Sequence, residues 1–224
     1  MIGYRRTSGV TEEIYRLDLG PGSLSVPLRI GGLLGLDVSA YPAADGGLHV
    51  MGSTGRLRTY DSSGSRTTEL DTGLRNLSAV AGDVSTGLLA FGGLPGAVVI
   101  DPKSGSIEIL DGAGPVATLG FAREGELLVI VGADGTVQLW DVDAGLPVGT
   151  VWEGIGGASP SPPLYDPDSD SIWVATSGRI VKIPLDPSAW VERGCAVLDR
   201  QLTDEEWNRF VPGDAPPTPV CAGN

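Results

Sequence analysis

The sequence predicts an all-β protein assembled from a repeated four-stranded unit, on three observations. The 224 residues include 34 glycines and 17 prolines, roughly a quarter of the chain, and these separate short apolar runs without any collagen period. Several of those runs end in aspartate at a regular interval. Asp18, Asp61, Asp101, Asp141 and Asp186 close EIYRLD, RLRTYD, GAVVID, TVQLWD and IVKIPLD, with spacings of 43, 40, 40 and 45 residues. The flanking segments recur in the same register, so the period belongs to a structural unit.

Taken in order, residues 1–30 hold a partial copy (MIGYRR, EEIYRLDL, LSVPLRI) that lacks its first strand. Full copies begin near Leu33, Leu74 and Pro115 and occupy 33–73, 74–114 and 115–153; a fourth spans 159–188, its last strand missing or irregular. Each copy opens with an apolar run such as NLSAVAG or PVATLGF, followed by a polar turn: AADGG, GDVSTG, AREGE or DPDSD. A second apolar run follows: LHVMGS, LLAFGG, LLVIVG or IWVATS. The third strand ends at the aspartate, and RTTELD, SIEILD or PVGTVW supplies a fourth in three copies.

Four short antiparallel strands per repeat is the pattern of a propeller blade. A lone sheet of this kind cannot cover either apolar face, whereas sheets stacked around an axis cover both. Runs such as LLVIVG suit inner strands buried on two sides. A β-sandwich competes, but its strands do not usually return at so even a spacing. The predicted class is therefore all-β: a small or partial β-propeller of about four to five four-stranded blades over 1–188, with a short helix and an irregular tail over 189–224. A start inside a blade favours a partial propeller, part of a larger one, over a closed small ring. An open stack leaves one apolar face exposed.

Residues 115–152 resemble a WD-repeat: GADGTVQLWD matches the pattern at Asp134, Gly135, Thr136, Trp140 and Asp141. The other copies keep the aspartate but carry Tyr60, Ile100 or Leu185 in place of tryptophan. None has the family's Gly-His pair, and His49 sits elsewhere, on an inner strand. The Asp-His-Ser/Thr-Trp relay of such proteins is thus incomplete, with Ile130 near the hydroxyl's place. Asp18, Asp61, Asp101, Asp134, Trp140, Asp141 and Asp186 are structural markers in this reading, the repeating aspartates acting as strand-end turn formers that bond nearby N–H groups.

The tail is similar to the C-terminal ends of bacterial, particularly actinobacterial, WD-repeat proteins of the STAND signalling-ATPase type. The matching residues are Cys195, Leu202, Thr203, Glu206, Trp207 and Cys221. The resemblance implies a propeller that follows an ATPase module, and no phosphate-cradling G-x-x-x-x-G-K-[ST] loop occurs in this chain. Thr203 and Glu206 form a capping box with Leu202 and Trp207 as its staple, which predicts a helix over 204–210 ended by Pro212-Gly213. Trp190 and Trp207 are expected to plug the tail onto a blade edge. Cys195 and Cys221 admit a disulfide or two packed thiols; a cytosolic address favours thiols.

Acids outnumber basic residues 28 to 15, for a net charge of −13. Such a surface repels phosphate, so neither nucleic acid nor an anionic membrane is an expected partner. No apolar run is long enough to span a bilayer and the N-terminus lacks the apolar core of a secretory signal, which predicts a cytoplasmic protein. Two cysteines and one histidine make no zinc site. The carboxylates of DPDSDSIW at 166, 168 and 170 start like a calcium loop, but Ser171 replaces the required glycine and the final glutamate is missing, so turn chemistry accounts for them. No cofactor or metal is expected, and no G-x-S-x-G elbow is present.

Two functional readings remain. The first is a non-enzymatic interaction scaffold whose loops on one rim, joining strand four to the next strand one and strand two to strand three, bind a protein or peptide. Its polar members are Arg56, Arg75, Asn76, Glu153 and Arg179. The second is a hydrolase or lyase with carboxylates, or His49, at the central channel. The first is preferred: a catalytic residue should break the repeat, and the aspartates obey it.

Overall fold

A computed structural model describes residues 2–6, 11–16, 28–31, 39–43, 46–52, 54–83, 85–155, 161–176 and 179–198, with side chains from residue 40 onward except at 150, 176, 187, 191, 194, 197 and 198. Among the described residues, alternating apolar residues bounded by turn formers give eighteen strands in five antiparallel sheets. The first sheet holds β1 (Ile2–Arg6), β2 (Thr11–Arg16) and β3 (Leu28–Gly31). The second holds β4 (Ser39–Pro42), β5 (Leu48–Met51), β6 (Arg56–Tyr60) and β7 (Arg66–Asp71). The third holds β8 (Arg75–Gly82), β9 (Leu89–Leu94), β10 (Ala97–Asp101) and β11 (Ser106–Leu110). The fourth holds β12 (Val116–Ala122), β13 (Leu127–Gly132), β14 (Val137–Asp141) and β15 (Leu146–Trp152). The fifth holds β16 (Leu164–Asp166), β17 (Ser171–Thr176) and β18 (Arg179–Pro184), and α1 (Pro187–Leu198) follows.

Every sheet is a simple meander with strands in chain order. Three sheets have the four strands expected of a blade; among the described residues the first and fifth have three. The opening strands lie together: β12 runs against both β8 and β16, and β1 against β4. That convergence is how the inner strands of propeller blades meet, and the molecule has a partial, propeller-like all-β architecture.

Period-two alternation explains how the sheets hold together. In β13, Leu128 and Ile130 point one way and pack with Ala90, Val99 and Leu110 of the third sheet. Leu127, Val129 and Val131 point the other way and pack with Ile172, Val174 and Ile183 of the fifth. In β9 and β10, Leu89, Phe91, Val98 and Ile100 meet Met51 and Leu57 of the second sheet. Each such side chain, fully buried, contributes about 1.5–3 kcal/mol. Neither face of a central sheet could be covered without its neighbour. The far face of the fifth sheet carries the exposed Leu164 and Ile180, and Lys182 Nζ sits 5.2 Å above the Trp173 ring.

Polar contacts add register between sheets. The Tyr41 hydroxyl of the second sheet donates to the Val80 carbonyl of the third at 3.0 Å. The Ser78 hydroxyl of the third donates to the Val116 carbonyl of the fourth. Between the fourth and fifth sheets, Arg123 grips Asp170 through Nε (3.0 Å) and Nη2, and Nη2 also donates to the Leu185 carbonyl at 3.1 Å. The Tyr165 hydroxyl donates to the same carboxylate at 3.1 Å. Arg123, Glu124 and Asp170 all adopt left-handed backbone, with φ of 49°, 52° and 39°. Such conformations cost of order 1 kcal/mol each and persist where surroundings hold them.

The fifth sheet departs from the repeat after Asp186. In the third and fourth sheets the residue four places past the aspartate is glycine, Gly105 (φ 76°) and Gly145 (φ 63°), and its left-handed backbone swings the chain back as a fourth strand. In the second sheet Gly64 does this three places on, with φ 87°. After Asp186 the fourth place is Trp190 and the chain continues as α1. Asp186 caps that helix: its Oδ1 accepts from Ser188 N at 2.9 Å, its carbonyl accepts from Ala189 N at 3.1 Å, and Pro187 takes the first helical position, where no N–H is needed. This helix was not expected from the sequence. The helix expected over 204–210 lies outside the described residues, as do Asp18, Trp207 and Cys221.

Candidate functional site

The meander divides the turns between two rims. One rim carries the links between strands one and two and between strands three and four; the other carries the links between strands two and three and from strand four to the next sheet. Asp61, Asp101, Asp141 and Asp186 all lie on the first. Asp61 Oδ1 accepts from Ser63 N at 2.9 Å, Ser63 Oγ at 2.6 Å and Ser65 N at 3.0 Å. Asp101 accepts from Lys103 N and Ser104 Oγ, both at 2.8 Å, and Asp141 from Ala144 N at 2.8 Å. The Ser63 hydroxyl holds the Asp61 carboxyl below the usual range, and the Ser188 hydroxyl does the same for Asp186. At Asp101 partial burial pushes upward, but the Lys103 N–H and Ser104 hydroxyl prevail and the carboxyl is lowered.

The second rim holds Arg56, Arg75, Asn76, Glu153 and Arg179. The structure brings the first three together where the second sheet hands over to the third. Arg75 Nη1 donates to the carbonyls of Thr54 at 3.0 Å and Leu74 at 2.7 Å, and lies 3.7 Å from Asp71 Oδ1. It thereby ties the β5–β6 turn to the start of β8. Arg56 pairs across the strands with Asp71. The N–H of Gly73 holds the Asp71 carboxyl below its usual range, with Arg75 and Arg56 adding to the effect. Asn76 is exposed in left-handed backbone at φ 51°, a conformation asparagine accepts more readily than most residues. Glu153 follows β15 and Arg179 opens β18; both are exposed on other sheets and neither joins this cluster.

One charged cluster was missed in the sequence. Arg56, Arg58 and Arg66 all donate to Glu69, at 2.9, 3.2 and 2.7 Å. Burial pushes the Glu69 carboxyl upward, but the three guanidiniums hold it below the usual range. The signal was Arg-Leu-Arg: in a strand, residues two apart share a face. Reading it required knowing that β7 places Glu69 opposite Arg58.

Asp134 and Trp140 do not take part in a relay. Asp134 Oδ1 accepts from Thr136 N at 3.0 Å and Thr136 Oγ1 at 2.7 Å, inside its own turn. Trp140 is buried between the third and fourth sheets, and its indole N–H donates to Gln138 Oε1 at 3.0 Å. His49 is buried on β5, with Nδ1 3.0 Å from Thr59 Oγ1. Asp166, Asp168 and Asp170 stand in the β16–β17 turn. There Asp166 accepts from Asp168 N at 3.2 Å and Ser169 Oγ at 2.6 Å, while Asp170 turns to Arg123. Among the described residues no group of three or more metal-ligating side chains forms.

In the tail, Trp190 seats α1 on the molecule. Its indole N–H donates to the Pro184 carbonyl, and its ring meets Trp152 of the fourth sheet edge-on, with centroids 5.9 Å apart. Cys195 is disulfide-bonded, which corrects the preference for packed thiols. Among the described residues no helix is long and apolar enough to cross a membrane. No protein-family model matches this chain, and no curated protein matches it.

Proposed function

We propose that this chain is a non-enzymatic binding module in which stacked sheets present rim loops to a protein or peptide. The observation that carries the reading is the knot of Arg75, Thr54, Leu74 and Asp71, which fixes loops of two adjacent sheets in one surface while leaving the Arg75 side chain 59% exposed. Preorganised loops bind at lower entropic cost. The WD-repeat character rests on residues 132–141 and on the recurring aspartates. A place beside a signalling ATPase rests on the tail resemblance. The acidic net charge disfavours nucleic acid and anionic lipid as partners.

The test is affinity capture from source-cell extract with the wild-type chain and with a variant carrying Arg75→Gln and Asn76→Gly, the glycine chosen to keep the backbone at residue 76. A partner retained by the wild type and lost by the variant, at unchanged melting temperature, supports the reading. Identical capture by both, or none by either, removes it. The cytosolic address faces a separate test. Disulfides persist in oxidising compartments, so the bond at Cys195 weighs against a reducing cytosol. Alkylation of the protein as isolated, without reductant, is expected to label no thiol; labelling of two restores the cytosolic expectation.

A further inference from the structure

On the flank of the second sheet, three arginines share one carboxylate. Cross-strand pairing of Arg58 with Glu69 and of Arg56 with Asp71 puts all four on one face, and Arg66 reaches Glu69 from the start of β7. Among the described residues no other carboxylate lies within ion-pair distance of Arg56, Arg58 or Arg66. With Arg75 beside Asp71, four arginines stand against two acids among the described residues of this flank, on a chain whose net charge is −13. A guanidinium carries five N–H donors, and the bonds to Glu69 use one from each of the three. The side chains of Arg56 and Arg66 are 55% and 57% exposed, so their remaining donors face solvent. β7 is also an edge: among the described strands it pairs with β6 alone, and Arg66–Glu69 are exposed along it.

We propose that this flank docks an acidic, extended segment of a partner protein, its carboxylates held by Arg56, Arg58 and Arg66 and its backbone laid along the open edge of β7. The inference deepens the binding-module reading and rests on it. Two features select the occupant. Arginine presents a planar fork that matches a carboxylate, and a free edge offers main-chain hydrogen bonds to an added strand. Overall acidity does not forbid this. Screening at physiological salt extends about 8 Å, so a short peptide on the flank meets chiefly the arginines. A nucleic acid would reach beyond that distance onto the acidic surface.

The experiment measures fluorescence anisotropy of a labelled hexaglutamate peptide with the purified chain, in about 50 mM and about 500 mM NaCl. The wild type is expected to bind, more weakly at high salt. Arg56→Gln with Arg66→Gln is expected to lose affinity about tenfold or more, the size of one or two charge-assisted bonds. Glu69→Gln, which removes the competing carboxylate, is expected to bind tighter, an opposite sign that no loss of fold would produce. Arg193→Gln, exposed on α1, should change nothing, and thermal melts identify any variant that unfolds. The proposal is overturned if the wild type does not bind the peptide, if the arginine pair is indifferent, or if phosphatidylserine vesicles bind through these arginines while the peptide does not. Peptide binding that survives alongside failed rim-dependent capture would overturn the rim loops as the place of binding and leave this flank as the module's dock.

Discussion

Arg123 and Asp170 show what a single side chain contributes here, because their contact is the polar seam between two sheets. Both side chains are about a third exposed, so solvent screening limits the pair to about 1 kcal/mol. A double-mutant cycle of Arg123→Gln and Asp170→Asn, followed by urea unfolding, should return a coupling of that size. The Arg123 guanidinium holds the Asp170 carboxyl below the usual range. A carboxyl lowered on folding stabilises the protein above its unfolded pKa, about 3.9. The coupling should therefore be complete at neutral pH and fade as pH falls below about 4; a coupling that grew in acid would contradict the assignment. These pairings were hidden in the sequence, since the two residues stand 47 apart and meet only after the sheets stack. The turn aspartates were legible because their partners lie two to four residues away, close enough for local chemistry to dictate the contact.

At the scale of the element, a fourth strand follows the aspartate where a left-handed glycine turns the chain, and a helix follows where Trp190 stands instead. Gly105 at φ 76° is expected to resist side chains: Gly105→Ala should destabilise by about 1–2 kcal/mol, the cost of left-handed backbone for an L-residue. Trp190 anchors α1 against Trp152 and the Pro184 carbonyl. Trp190→Ala should cost about 2 kcal/mol, below the 3–5 of a fully buried aromatic, and should reduce the helical circular dichroism before the main unfolding transition. An unchanged helical signal would mean that α1 stands without its anchor. Strands were readable from alternation and from the turn residues between them. The helix was not, because PSAWVERGCAVL follows the same Asp-Pro opening as the β10–β11 turn, where Lys-Ser-Gly comes next in place of Ser-Ala-Trp.

For the whole molecule, stability is shared between neighbours. Leu128 is fully buried at the joint between the third and fourth sheets, so Leu128→Ala should cost about 2–5 kcal/mol. Ile109, equally apolar but 62% exposed on an outer strand, should change stability by about 0.5 kcal/mol or less when cut to alanine. Several turn carboxylates, Asp61, Asp83, Asp101, Asp166 and Asp186 among them, are held below the usual range. They stabilise the fold above about pH 4 and lose that contribution as acid protonates them. A melting temperature that falls steeply below about pH 4 is the expected profile, and a flat one would show these turns to be energetically silent. The repeat period exposed this architecture in the sequence because a face that must be covered leaves its mark on every strand. The pairing of charges across β6 and β7 left no such mark, since exposed positions accept many residues. One position carries a wider meaning. Three or four places past the aspartate, glycine lets a unit close as a strand, and after Asp186 tryptophan takes the fourth place and the chain coils into α1. The few residues after the aspartate are thus where a tandem array can be lengthened or brought to a stop, without disturbing the greasy surfaces by which its modules recognise each other.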